Sequence, residues 1–228
     1  MILDMRNATS NAQNPSPPLD VAARIAQQTL ASRAPDYSSE VRRLLDAGRE
    51  VMRRCGTTSR PRVADIVAEA GLSNDAFYRH FSSKDVLVAA ILEDGTERLG
   101  SYLTHQMAKE PSAEGMVRRW VVGVMQQAAD EDIAAATLAV LWNAGGALQG
   151  SSAARPSASD PLAVLLVEPF AELGSSDPEL DAILSGHAVV GRLSDHLWAG
   201  THPSRAETDH LVGFCVRAGS GPAVTRRR

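Results

Sequence analysis

Seven polar side chains crowd one short stretch: Ser73, Asn74, Asp75, Tyr78, Arg79, His80 and Lys84, with Arg62 some way upstream and Ala76 among them. They offer hydroxyl, amide and cationic donors, the set that contacts phosphate oxygens, and an asparagine amide that can hydrogen-bond a base edge. Tyr78 is either ordinary surface or a hydroxyl aimed at a phosphate. Asp75 is repelled by phosphate, so it either accepts from a cytosine amino group or turns away and caps its own helix. Lys84 is one of only two lysines among twenty-three basic residues. At the start of a helix it suits a phosphate as a point charge.

The elements that must carry these groups follow from spacing. Val63, Ile66, Val67 and Ala70 recur at i, i+3, i+4 and i+7, which predicts a short helix with Asp65 and Glu69 facing water. Gly71 closes it, because glycine takes the left-handed conformation without a Cβ penalty. Ser73 is placed to N-cap a second short helix, with Leu72 and Phe77 as a hydrophobic staple around the cap. Phe77 and Phe81, four apart, share its buried face and leave Asn74, Asp75, Tyr78 and Arg79 exposed. Two helices joined by a tight glycine-containing turn form the helix-turn-helix arrangement, whose second helix enters the major groove of DNA.

The run from Gly71 to Leu87, Gly-Leu-Ser-x-x-Ala-Phe-Tyr-Arg-His-Phe-Ser-Ser-Lys-Asp-x-Leu, resembles the recognition-helix segment of the tetracycline-repressor (TetR) family of bacterial transcription regulators. The shared features are the Gly-x-Ser turn, the Tyr-x-x-Phe pair and the Ser-Lys-acidic-x-Leu entry to the next helix, and the similarity extends over about residues 41–92. Two departures stand out. Where the family often has threonines the chain has Arg60-Pro61-Arg62, with Pro61 suited to a first helical position and Arg62 able to replace a hydroxyl contact with a charged one. Where the family commonly has a Gly-Thr pair the chain has Asp75-Ala76.

Length and composition fit this reading. The chain of 228 residues is long enough for two domains with a proper core. Cys55 and Cys215 lie on apolar helical faces and read as core packing in a reducing compartment. No apolar run reaches membrane-spanning length and no signal-peptide core is present, so a soluble, cytoplasmic protein without membrane association is expected. The net charge is −4, an odd value for a nucleic-acid binder until it is divided. Glu40 to Asp85 carries nine basic against seven acidic residues, and the chain from Val86 onward eleven against seventeen. The sign fits a binding head on an acidic body.

The predicted organisation is all-α: a flexible arm over 1–37, a helix-turn-helix domain over 38–85, an all-α body over 86–218 and a loose tail over 219–228. Met1 to Pro18 is expected to be disordered, and a short helix over Leu19 to Arg33 is ended by Pro35. The helix from Ser39 to Cys55 carries Val41, Leu44, Leu45, Gly48, Val51, Met52 and Cys55 on one stripe, with Arg42 and Arg43 as candidate phosphate contacts on the other faces. From Lys84, capped by Ser82 or Ser83, a long helix runs almost to Pro111, with Leu87, Leu92, Leu99 and Tyr102 on its apolar stripe, and links head to body. Further helices are expected at Ala113 to Ala129, Asp132 to Leu148, Pro161 to Leu173, Pro178 to Ala199 and Arg205 to Ala218, with a loop from Gly150 to Asp160.

Within the body, Ile183, Leu184, His187, Val190, Gly191, Ser194, Leu197 and Trp198 share one side of a helix, and Leu211 and Phe214 one side of the last. These are either buried inside the monomer or, as the resemblance implies, a four-helix homodimer interface, which Gly191 and Ser194 would let close tightly. Two reading helices about 34 Å apart match successive major grooves of a near-palindromic operator. The resemblance also implies a pocket for an unknown small-molecule effector. Trp120, Met125, Trp142, Asn143 and Phe170 are its candidate wall, each also readable as plain core, and a buried Asn143 needs a partner.

Enzymatic readings are thin. The six histidines are scattered, no Gly-x-Ser-x-Gly elbow accompanies Asp195-His196, and Gly145-Gly146-x-x-x-Gly150 follows a helix, so it is no phosphate loop. No cofactor or metal is expected. The reading reached is a homodimeric DNA-binding regulator, a repressor that releases its operator when the body binds a small molecule. The alternatives are a helix-turn-helix regulator without such an effector, partner-controlled or activating, and an all-α binding module that has lost its DNA contacts.

Overall fold

The computed structural model describes the backbone of residues 21–147 and 160–220, and the side chains of residues 37–144 and 161–220. The expected disordered start, the Gly150–Asp160 loop, the Leu148 helix end and the tail after Ser220 fall wholly or largely outside them. The chain divides into two units, Met1–Glu40 and Val41–Arg228. The first is helical from Val21, where α1 (Val21–Cys55) begins. The expected stop at Pro35 is not a helix end. A proline φ of about −65° is itself helical, so the residue removes a backbone donor without forcing the chain off the helical path.

In the second unit the apolar stripe of α1 faces inward: Leu44, Leu45, Val51 and Met52 are buried. Gly48 sits at a close approach, since a Cβ there would stand 2.7 Å from Cδ1 of Ile91 and the Ile91 side chain would have to shift. Helix α2 (Val63–Ala70) ends as its glycine dictates. Gly71 takes φ 61°, and Leu72 N–H reaches back to the Val67 carbonyl at 2.9 Å, satisfying an acceptor the helix end leaves open. Pro61 is not the first helical residue as expected. Arg62 is the N-cap, because the Asp65 carboxylate accepts from the Arg62 backbone N–H at 3.3 Å, and Pro61 is buried ahead of it.

Helix α3 (Asn74–His80) is capped by Ser73, whose hydroxyl accepts from Ala76 N–H at 3.1 Å. Ser83 takes the corresponding place for α4 (Lys84–Met107), accepting from Val86 N–H at 3.3 Å. That helix stops at Met107, short of Pro111. Tyr102, expected on its apolar stripe, is 47% exposed.

The body comprises α5 (Ala113–Ala129), α6 (Glu131–Ala147), α7 (Asp160–Ala163), a 3-10 turn (Val164–Leu166), α8 (Val167–Leu173), α9 (Pro178–Ala199) and α10 (Arg205–Gly219). The segment expected as one helix from Pro161 to Leu173 is broken. Pro169 has no N–H to continue a helix begun at Pro161, but it is tolerated in the first turn of a helix restarted at Val167. Among the described residues no strand forms, only an isolated bridge between Gly174 and Ser220.

Two hydrophobic cores result. The body core joins α4, α5, α7 to α10 and the 3-10 turn around Trp120, Val124, Leu166, Phe170 and Leu193. The head core joins α1 to α4 around Leu44, Met52, Ile66, Phe77 and Leu87, and α6 contributes Ala139 and Ala144 to it. Helix α6 is thus a body element built into the head. Neither free cysteine departs from the core reading: Cys55 is half-buried and Cys215 fully buried, with burial pushing the Cys215 thiol up to about 11, where it is inert as a nucleophile. No helix among the described residues is long and apolar enough to cross a membrane.

Candidate nucleic-acid interface and body cavity

The outer face of α3 is built by what its inner face must do. Phe77 is fully buried and Phe81 6% exposed, their rings 5.9 Å apart. Helical spacing then turns Asn74, Asp75 and Arg79 outward, and Tyr78 is 58% exposed, its ring edge-on to Phe77 at 5.2 Å. Ser73 and Asp75 are exposed, His80 and Lys84 half-buried. Ser73 is the cap of α3, so Asp75 has no capping task and stands in the first turn, where a negative charge suits the helix dipole. Ala76 leaves the surface set. At 4% exposure its methyl lies beneath the helix, out of reach of a duplex.

Arg62 is exposed, but its guanidinium forks onto Asp65, with both N–O distances 2.9 Å. That hydrogen bond holds the Asp65 carboxyl below its ordinary range. An exposed pair of this kind is weak, so a phosphate can compete for Arg62.

Arg43 and Arg42 have other work than phosphate contact. Arg43 Nε donates to the Ala70 carbonyl at 3.0 Å and Nη2 to the Gly71 carbonyl at 3.0 Å. A side chain from α1 therefore closes the end of α2 and fixes the turn into the reading helix. Spacing alone had no means of finding this, because the contact spans twenty-eight positions. Arg42 pairs with Asp94 of α4 at 2.7 Å.

In the body, a mainly apolar cavity of about 230 Å³ lies between α4, α5, α6, α7 and α9. Leu92, Thr96, Val140, Leu141 and Val190 are among its walls, with Arg49 of α1 at one side. None of the five residues predicted for a pocket lines it. Trp120 is fully buried and donates its indole N–H to the Leu162 carbonyl at 2.8 Å. Phe170 is fully buried, and Met125, 1% exposed, borders a separate and more polar depression near Arg118. Trp142 lies under the guanidinium of Arg60, 5.5 Å from its ring centre. Asn143 is buried but already satisfied, its amide donating to Ala139 at 2.8 Å. Large side chains fill space. The cavity is left where Gly95, Ala136 and Thr137 do not.

The predicted association face divides in two. Ile183, Leu184, Trp198 and Phe214 are exposed at 40% or more, and His187 and Gly191 are exposed beside them. Leu197 and Leu211, at 3% and 8%, belong to the body core instead. Val190 and Ser194 are half-buried and line the cavity. Helix α9 thus has an inner face on the cavity and an apolar outer face in solvent.

Residues 44–91, which hold the helix-turn-helix and its flanking helices, match the family described as bacterial regulatory proteins, tetR family. In its DNA-binding domain the chain belongs to the tetR family. It is a DNA-binding transcriptional regulator. No curated protein sequence matches it, but solved structures of the family do. A TetR-family transcriptional regulator from Pectobacterium atrosepticum is 21% identical, with 81% of this chain and 92% of that one covered and a TM-score of 0.56. RolR in complex with resorcinol is 17% identical over 81% and 89%, with a TM-score of 0.55. FadR from Bacillus subtilis in complex with stearoyl-CoA is 15% identical over 77% and 97%, with a TM-score of 0.52. At these identities the likeness outside residues 44–91 is one of fold: an N-terminal tetR helix-turn-helix followed by an all-α body.

Proposed function

We propose that this regulator is a homodimeric repressor that holds a near-palindromic operator and releases it when a small molecule enters the cavity of the body. The observation that carries the reading is the placing of α4. Its first residue, Lys84, follows the reading helix, and Leu92, Thr96 and Leu99, about two to four turns further on, wall the cavity. A ligand that fits one arrangement of these helices better than another shifts the population of head positions by its difference in affinity, and by no more than that. The resorcinol and stearoyl-CoA complexes of the fold neighbours show the architecture accommodating such ligands in other proteins. At about 230 Å³ the cavity falls just below the roughly 300–1,000 Å³ of drug-sized sites, which suits a small effector.

On the DNA side, Tyr78, Arg79, His80, Lys84 and Arg62 serve as backbone contacts and Asn74 as a base reader, with Ser73 fixing the helix that presents them. On the dimer side, Ile183, Leu184, His187, Gly191, Trp198 and Phe214 make a self-complementary face, as a two-fold interface requires. The domain reading places the arm over 1–37, the head over 38–85 and the effector and dimerisation body over 86–218.

Two measurements test this. Sedimentation of the full chain should give a dimer, and Leu184→Glu should give a monomer with greatly weakened operator binding. Thr137→Trp, which fills the cavity, should leave operator binding intact and abolish release by any compound that releases the parent protein. A parent protein that is monomeric and still binds its operator tightly overturns the dimer reading, and release that survives Thr137→Trp overturns the effector site.

A further inference from the structure

The cavity is apolar over most of its wall but has one charged lining residue among those described, Arg49. This guanidinium does not stand alone. It contacts Asp46 at 2.9 Å and Asp94 at 2.6 Å, and Asp94 also receives Arg42 at 2.7 Å and Arg98 at 3.0 Å. Three guanidiniums thus face two carboxylates, leaving one positive charge in excess at the edge of an apolar space. Asp94 loses little if Arg49 is drawn away, because two other cations hold it. Arg49 itself retains exposure, with 28% of its side chain accessible. An excess cation beside a greasy wall is costly to leave and well suited to an anion carrying an apolar body.

Resting on the effector reading above, we propose that the ligand class is a small apolar carboxylate, or a similarly charged amphiphile. Its chain fills the space between Val140, Leu141 and Val190, and its charged end is accepted by Arg49. The same contact supplies a regulatory route. Arg49 belongs to α1 in the head and Asp94 to α4, so an anion that engages Arg49 competes with a bond tying α1 to α4.

The test is calorimetric titration of the full-length protein with octanoate and with octan-1-ol, which share a chain and differ in charge. Octanoate is expected to bind roughly tenfold or more tightly than the alcohol, the scale of a charge-assisted hydrogen bond. Arg49→Gln should remove that preference by weakening octanoate alone. Arg42→Gln, which deprives Asp94 of a cation without touching the cavity, should keep it. If Arg49→Gln does not fold, the comparison of the two probes on the parent protein decides by itself. Equal affinity for acid and alcohol overturns the charge assignment yet leaves the effector cavity standing. Binding of neither probe overturns the ligand class, whereas only release that persists in Thr137→Trp removes the effector site beneath it. An octanoate preference that survives Arg49→Gln overturns the role of Arg49.

Discussion

Among single side chains, the division of labour around α3 makes distinct forecasts. Tyr78→Phe and Lys84→Ala remove contacts to the sugar-phosphate backbone, so both should weaken binding to every sequence alike, and Lys84→Ala should lower the salt slope of binding by about one. Asn74→Ala should instead relax preference at one or two base positions, by roughly 1–3 kcal/mol of discrimination in a competition assay on operator variants. Equal loss on all operators would remove Asn74 from base reading. Arg43→Ala belongs to a different class. It touches no DNA but frees the Ala70 and Gly71 carbonyls, and loss of charged hydrogen bonds to them should cost about 1.5–3 kcal/mol in denaturant unfolding. The exposed set on α3 was legible in the sequence, since Phe77 and Phe81 define the buried side and everything else follows from helical geometry. The Arg43 clamp was not, because a guanidinium on one helix reaching a carbonyl at the end of another leaves no periodic trace. Ala76, named for its place in the Asp75-Ala76 pair, is buried, because on a helix adjacent residues point about 100° apart.

At the level of helices, the sequence marked caps better than breaks. Gly71, Ser73 and Ser83 each stand where a cap is needed, whereas Pro35, expected to end a helix, lies inside α1, and the break in the segment expected as one helix from Pro161 to Leu173 went unmarked. The reason is that a proline acts by position within a helix, and position is known only once the neighbouring turns are packed. The junction of α9 and α10 makes the pH forecast. Glu207 accepts from Arg192 and, at 3.0 Å, meets Nε2 of His196. The Arg192 bond chiefly, with His196 adding to it, holds the Glu207 carboxyl below its ordinary range. A carboxyl depressed in the folded chain contributes stability above its unfolded value, and that contribution is lost as pH falls through the folded value. Melting temperature should therefore drop on acidification from about pH 5 downward, and Glu207→Gln should flatten that acid limb while lowering the plateau above it.

For the molecule as a whole, the all-α class could be read from periodicity, but the location of the cavity could not. Trp120, Met125, Trp142, Asn143 and Phe170, the candidate wall by size and polarity, are engaged instead in packing and internal contacts. An empty space is the absence of bulk, and no single residue type announces it. Operator binding by the full-length protein should fall steeply and linearly on a log–log plot against salt, as phosphate-dominated association does; a shallow dependence would argue that the α3 face does not lie on a duplex. The two alanines that α6 lends to the head, Ala139 and Ala144, bear on how such a protein can be taken apart. A fragment cut after Asp85 would carry a bare hydrophobic flank into water and should clump or melt, so chimaeras that exchange operator preference between regulators must transplant the matching contacts on the sixth helix along with the reading motif.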